Sequence, residues 1–349
     1  MGQVAIVGCG FVADLYMHAF AAHPQIEIVG CFDQDKARQK AFASHWGLRE
    51  AADFDRLAQD VAGRGLLLNL TNPRAHFEVN TAALEAGCHV FCEKPLAMSY
   101  EEAAALQALA TRRGLQLGTA PSSVLGEAAQ TLARAVRSQR YGTPRLVYAE
   151  LDDGFVAQAP LEHWVSASGA PWPYEDEFQV GCTLEHAGYY LSWLIAIFGP
   201  VARVTAFCSE ILAEKRGVTG GAPDFSVALL EFEQGPLVRL TCSIVAPHDH
   251  RFRLMTDKGV LAVKQAWDNS AAVRFHKRLR LRRRLLENPW GQRIGLPSKT
   301  THPKLSRKGA AAMNFALGPE EMLGAIAASQ PSRLSGDYAL HLTEVVGFH

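Results

Sequence analysis

The chain has 349 residues, 48% of them hydrophobic and 20% charged, enough for two domains of about 100–200 residues each around ordinary cores. Lys plus Arg and Asp plus Glu stand at 35 each, so no global field draws the protein to nucleic acid or a membrane, and such a partner would need a local patch. No stretch approaches the about 18 charge-free apolar residues of a membrane span, and the opening MGQVAIVGCGFVAD lacks the layout of a secretory signal.

In chain order, QVAIV at 3–7 reads as a buried strand, followed by GCG and a helical stretch from Phe11 to Ala22. IEIVGCF at 26–32 is a second strand ending at Asp33, with a helix from about Asp35 to Trp46 behind it. LLLNL at 66–70, HVFCEK at 89–94 and LQLGTA at 115–120 are further strands, separated by helices at Arg74–Ala86 and Glu101–Arg113. Strands alternating with helices imply βαβ units and a parallel sheet, and their continuous apolar character fits burial on both faces. After about residue 121 the rhythm changes. A helix at about 124–138, the strand RLVYAEL and a helix at about 184–198 lead into VTAFCSEIL, FSVALLEFE, LVRLTCSIV, FRLMT and GVLAVK, with little helix between them. The reading is α/β: an N-terminal Rossmann domain with a doubly wound parallel sheet at 1–121, then an α+β domain with a large, mostly antiparallel open sheet at 122–349. Residues 276–318 lack periodicity and are expected to form an extended excursion, and two helices at about 319–329 and 336–347 close the chain.

The seven cysteines (Cys9, Cys31, Cys88, Cys92, Cys182, Cys208, Cys242) are scattered and odd in number, as for reduced thiols in a cytoplasmic protein, and no CxxC pair suggests structural zinc.

Gly8-Cys9-Gly10-Phe11-Val12-Ala13 is a GxGxxA turn between a strand and a helix. Gly8 permits the tight turn, Gly10 lets a pyrophosphate approach the backbone, and Ala13 allows close helix–strand packing. The helix N-terminus beginning with Phe11 and Val12 then meets phosphate charge. Asp33, at the end of the second strand, can accept ribose hydroxyls and repels a 2′-phosphate, which favours NAD over NADP. Its alternative role is to cap the following helix. Two more segments sit at strand carboxyl ends, where open α/β sheets bind ligands: Thr71-Asn72-Pro73 with His76 close behind, and Glu93-Lys94-Pro95. A charged pair leaving an apolar strand suits a cleft, and a lysine there can handle a proton.

These residues, with ALEAGCHVFCEKPLA at 83–97, YGTPRLVYAEL at 141–151, GCTLEHAGYYLSWLIAIFGP at 181–200, DKGVLAV at 257–263 and the closing LSGDYALHLTEV, resemble the Gfo/Idh/MocA oxidoreductases over nearly the whole chain. The resemblance implies NAD(P)-dependent chemistry on sugars, cyclitols or their derivatives, and a homodimer or homotetramer. It places Lys94 near the nicotinamide, with Glu93 as its partner. The family's D-x-G-x-H motif is altered here: His186 holds the aspartate position and Tyr190 the histidine position. Lys94 and Tyr190, or Lys94 and His186, are therefore the candidate proton-handling groups. The alteration also leaves open a non-catalytic NAD-binding sensor or regulatory protein on the same fold.

Two histidines flank an aspartate in Pro247-His248-Asp249-His250, but no third ligand is evident in the sequence and no metal is expected. His163-Trp164 and Ala170–Tyr174 with Glu175-Asp176-Glu177 form an aromatic, acidic loop that suits a sugar or covers the second-domain sheet. The basic run HKRLRLRRR, His276–Arg284, reads as a solvated loop or oligomer contact; contact with an anionic membrane surface is a lesser option, and the lack of interleaved aromatics argues against nucleic acid.

Overall fold

The computed structural model describes residues 2–265, 267–295, 303, 305 and 312–347. In chain order the elements are β1 (Gly2–Val7), α1 (Phe11–Phe20), β2 (Ile26–Phe32), α2 (Lys36–Trp46), α3 (Phe54–Val61), β3 (Leu66–Asn69), α4 (His76–Glu85), β4 (His89–Cys92), α5 (Tyr100–Arg113), β5 (Leu117–Thr119) and α6 (Glu127–Arg137). There follow β6 (Pro144–Asp152), α7 (Tyr174–Val180), α8 (Cys182–His186), α9 (Gly188–Phe198), β7 (Val201–Ser209), β8 (Phe225–Phe232), β9 (Leu237–Ser243), β10 (Phe252–Thr256), β11 (Gly259–Val263), β12 (Val273–Leu281), β13 (Arg284–Glu287), β14 (Gln292–Ile294), α10 (Leu317–Ala327) and α11 (Asp337–Val346). None of the helices among the described residues is long and apolar enough to cross a membrane.

Unit 1 comprises Met1–Ser122, Ala159–Val180 and Asn314–Gly347. Its five strands run in parallel in the order β2-β1-β3-β4-β5. Every residue of β3 and β4 is buried, because helices cover both faces of the sheet. One side of the core gathers Val7, Leu57, Leu67, Leu84, Val90 and Leu106. The chain leaves β1 toward β2 on one flank and reaches β3 on the other, so the carboxyl ends of β1 and β3 flank the switch point of the sheet. The expected division at residue 121/122 lies beside the first crossing at Ser122/Ser123. The chain then returns to unit 1 twice, bringing back α7 and later α10 and α11.

Unit 2 comprises Ser123–Gln158 and Gly181–Met313 in its described parts. Its sheet runs β13-β12-β11-β10-β6-β9-β8-β7, with β14 paired to β12. Only β6 and β9 pair in parallel; the other pairings are antiparallel. α8 packs on β8 and β9.

Three expectations change. The first helix after Asp53 went unforeseen: α3 is short, capped by the Asp53 carboxylate on Arg56 N, and anchored by Leu57, Ala58 and Val61. The run His276–Arg284 covers the end of β12, the turn at Arg282 and Arg283 and the start of β13, with Arg278 facing Glu287 and Leu279 facing Leu286 in register, so it is a hairpin and not an excursion. Most of residues 296–311 lies outside the described residues. Finally, the helix expected at 184–198 breaks at Ala187 into α8 and α9.

Candidate functional site

β1 delivers the chain into the Gly8-Cys9-Gly10 turn. Gly8 has φ +93°, and a Cβ there would stand 2.6 Å from the Leu70 carbonyl carbon and oxygen, so only glycine fits. Gly10 differs: a Cβ on it would meet nothing within 4 Å. Gly10 is the N-cap of α1 and makes no side-chain cap bond, so the helix start, Phe11 and Val12, presents backbone N–H groups that no side chain caps. Ala13 is fully buried where α1 meets the sheet. An open space at a glycine, facing uncapped donors, is what a dinucleotide pyrophosphate requires, and these residues fit such a group.

Asp33 braces this turn. Its Oδ2 accepts from Cys9 N at 2.8 Å and its Oδ1 from Asp35 N at 2.8 Å. The cap of α2 is Asp35, which accepts from Ala37 N and Arg38 N, so the capping alternative for Asp33 falls away. Lys36 reaches the Asp33 carbonyl at 3.3 Å and lies over the Phe32 ring.

The ends of β3 and β4 are tied together. Asn69 Oδ1 accepts from both Thr71 N and Thr71 Oγ1, at 3.1 and 2.7 Å, and Asn69 Nδ2 donates to Asn80 Oδ1. Thr71 leads into Asn72 and Pro73, where a short 3-10 turn starts before α4. His76 is fully buried; Nε2 lies 2.9 Å from the Thr71 carbonyl and Nδ1 lies 2.6 Å from that of Pro95. The ring thus clamps the Thr71-Asn72-Pro73 and Glu93-Lys94-Pro95 turns to each other. Glu93 is buried: Oε1 accepts from Tyr16 O–H at 2.8 Å, and Oε2 accepts from the Lys94 backbone N–H at 3.0 Å. Lys94 is half-buried at the end of β4.

The aromatic, acidic loop belongs to unit 1, not to the second-domain sheet. Ser168 N and Oγ both donate to the buried Asp14 carboxylate on α1, at 3.2 and 2.7 Å, and Trp164 packs edge-on against Trp172.

Unit 2 carries a polar cluster of its own. Asp153 follows β6, His186 ends α8, and His248 and His250 lie between β9 and β10. Asp153 Oδ2 is 4.0 Å from His186 Nδ1, and Asp153 Oδ1 is 3.6 Å from His248 Nδ1 and 3.5 Å from His250 Nε2. Burial pushes the Asp153 carboxyl up, but the imidazoles of His248, His250 and His186 outweigh it and hold it well below the ordinary range. Asp153 raises His248, while burial lowers His250 despite Asp153.

Tyr190 lies apart from this exchange. It is fully buried between Trp193 and Phe252, and its hydroxyl donates to the backbone carbonyl of His250. Burial, then the charges of Asp249 and Glu150, raise its phenol well above the ordinary value. Ala187, between α8 and α9, keeps helical dihedrals, and both side chains turn toward the same neighbourhood: His186 faces Asp153, and Tyr190 bonds the His250 backbone.

Gly8, Gly10, Asp33, Thr71, His76, Glu93 and Lys94 therefore gather at strand ends of unit 1, and His186 joins Asp153, His248 and His250 in unit 2. Asn69, Tyr16 and Asp153 escaped the sequence reading. A lone amide inside LLLNL and a doubled aspartate after RLVYAEL are the signals that mark two of them.

The oxidoreductase family with an NAD-binding Rossmann fold matches residues 3–120, and the GFO/IDH/MocA C-terminal domain matches residues 129–262. D-glucoside 3-dehydrogenase of Escherichia coli (strain K12) is 33% identical over 160 residues, 41% of this chain and 45% of that protein. D-apiose dehydrogenase of Paraburkholderia graminis is 26% identical over 249 residues, 68% of this chain and 60% of that one. The alignments thus span about half the length of these curated relatives. The structure of an oxidoreductase domain protein from Kribbella flavida superposes with a TM-score of 0.78 at 22% identity, covering 99% of this chain and 96% of that one.

Proposed function

The chain belongs to the Gfo/Idh/MocA oxidoreductases, and on that premise we propose that it is an NAD(H)-dependent oxidoreductase moving a hydride to or from a carbinol or ketone carbon of a sugar, cyclitol or sugar derivative. The observation that carries this reading is the glycine turn: Gly8 is forced by its fit against Leu70, whereas Gly10 opens onto free space at the start of α1. Gly10, Phe11 and Val12 would hold the pyrophosphate, and Thr71, Asn72 and Pro73 line the neighbouring strand end. Asp33, once shared with the ribose, favours NAD by repelling a 2′-phosphate. When bound, the nicotinamide supplies or takes the hydride.

Lys94 holds or moves the proton at the substrate oxygen, and Glu93 positions it through its backbone N–H. His186 is the second proton-handling or substrate-orienting group. Tyr190 acts through the His250 carbonyl and not on substrate, because its hydroxyl is engaged in the core. The names of the relatives support a sugar as substrate. A sensor that binds NAD without turnover is the second reading, favoured by the packing of Tyr190 at the position where the family carries histidine.

A panel of free sugars, glycosides and cyclitols, offered with NAD+ and with NADP+ and followed by pyridine absorbance, separates the two. Reduction of NAD+ by at least one member is expected. Tight NAD+ binding with no turnover on any member establishes the sensor reading instead.

A further inference from the structure

We propose that unit 2 holds one divalent transition-metal cation of zinc type between Asp153, His248 and His250, with a coordination position left for water or a ligand oxygen. The ligand atoms of these three residues all lie within 4.8 Å of one another. The third ligand that Pro247-His248-Asp249-His250 lacks in sequence arrives from the end of β6, some ninety residues upstream. Sheet pairing brings it there: Asp152, the neighbour of Asp153, bridges Asp249 between the two histidines.

The distances suit a metal better than a simple ion pair. A charge-assisted hydrogen bond from imidazole to carboxylate spans about 2.7–2.9 Å. Asp153 Oδ1 instead stands 3.5 Å from His250 Nε2 and 3.6 Å from His248 Nδ1. Zinc bonds of about 2.0–2.1 Å in a tetrahedron put neighbouring ligand atoms about 3.4 Å apart. Both separations from the Asp153 oxygen thus match the spacing of neighbouring ligands around one ion, and the two histidines stay within the 4.8 Å that holds all three groups. His250 is 1% exposed, and neither of its ring nitrogens has a hydrogen-bond partner among the described residues. A buried imidazole nitrogen without a partner calls for one, and a cation would supply it at Nε2, the atom that faces Asp153.

The surroundings match a built site. Trp267 packs edge-on against His250 at 4.3 Å and His248 at 6.0 Å, which fixes both rings. The Gln265 side-chain amide lies 3.3 Å from His248 Nε2, and with its oxygen turned to the ring it would accept the Nε2–H of an imidazole bound to the metal through Nδ1. Tyr190 O–H secures the His250 backbone. His248 is 46% exposed at its side chain and supplies the way in. Two histidines and one carboxylate with an open position make the donor set of catalytic zinc and of related divalent ions.

The test is metal binding by the untagged 349-residue chain, independent of substrate. After dialysis against EDTA and removal of the chelator, Zn2+ alone is titrated by calorimetry, and Co2+ is added separately as a visible-absorption probe. One equivalent of Zn2+ and the intense visible bands of low-coordinate Co2+ are expected. His248→Ala, at a half-exposed position, and Asp153→Asn, which keeps its shape, should each fold by circular dichroism and each weaken Zn2+ by more than about 100-fold, beyond the loss expected for a supporting residue. No saturable Zn2+ uptake by the wild-type chain, or uptake unchanged in both variants, overturns the proposal.

Discussion

In unit 1 the residues proposed for the cofactor sit within a few positions of strand ends, on turns whose shape local geometry fixes. In unit 2 the polar cluster is assembled from Asp153, His186, His248 and His250, drawn from the end of β6, the end of α8 and the β9–β10 connection. The first is a parallel sheet, where successive strands deliver their loops to one edge and short motifs record the site. The second is a mixed sheet, where pairing between distant strands decides who meets whom. Parallel topology thus writes its site into contiguous sequence, while mixed topology hides it in the register.

The sharpest break in the comparison is chemical. Lys94→Ala should cost about 10²–10⁴-fold in kcat/KM on whichever substrate turns over, the range for a lost general acid–base group, with NAD+ affinity changed little. His186→Ala should fall in the same range if both units contribute to proton handling, and an unchanged kcat/KM would confine the chemistry to unit 1. A smaller effect is expected at Tyr190. Tyr190→Phe strands the buried His250 carbonyl and should cost about 1–3 kcal/mol in denaturant unfolding, with turnover within a few-fold of wild type. A loss of turnover as large as that of Lys94→Ala would return the phenol to the proton path.

Most of unit 1 was legible from sequence. Uninterrupted apolar strands, the GxGxxA turn and the Glu93-Lys94-Pro95 turn each depend on neighbours in the chain. What escaped was contingent on the fold. His76 is also a fully buried clamp between two carbonyls, a role that no spacing reveals. Tyr190 and His186 lie four positions apart, but the Tyr190 phenol is fully buried against Trp193 and Phe252 and donates its hydrogen bond to the His250 carbonyl. Asp153 could not be joined to His248 and His250 without knowing that β6 lies between β9 and β10. The basic run was read by its charge, although Arg278-Leu279-Arg280-Leu281 also alternates as a strand does.

Calorimetry of NAD+ on the wild-type chain and on Gly10→Val tests the dinucleotide site most directly. Gly10 has φ −81° and ψ −167°, a region valine adopts readily, and its Cβ would meet nothing in the protein, so the variant should fold as the wild type does. One equivalent of NAD+ bound by the wild type, weakened by more than about tenfold in the variant, or at least 1.4 kcal/mol, is the expected result. Equal affinity in both chains, or no uptake of either pyridine nucleotide by folded wild-type protein, would contradict it.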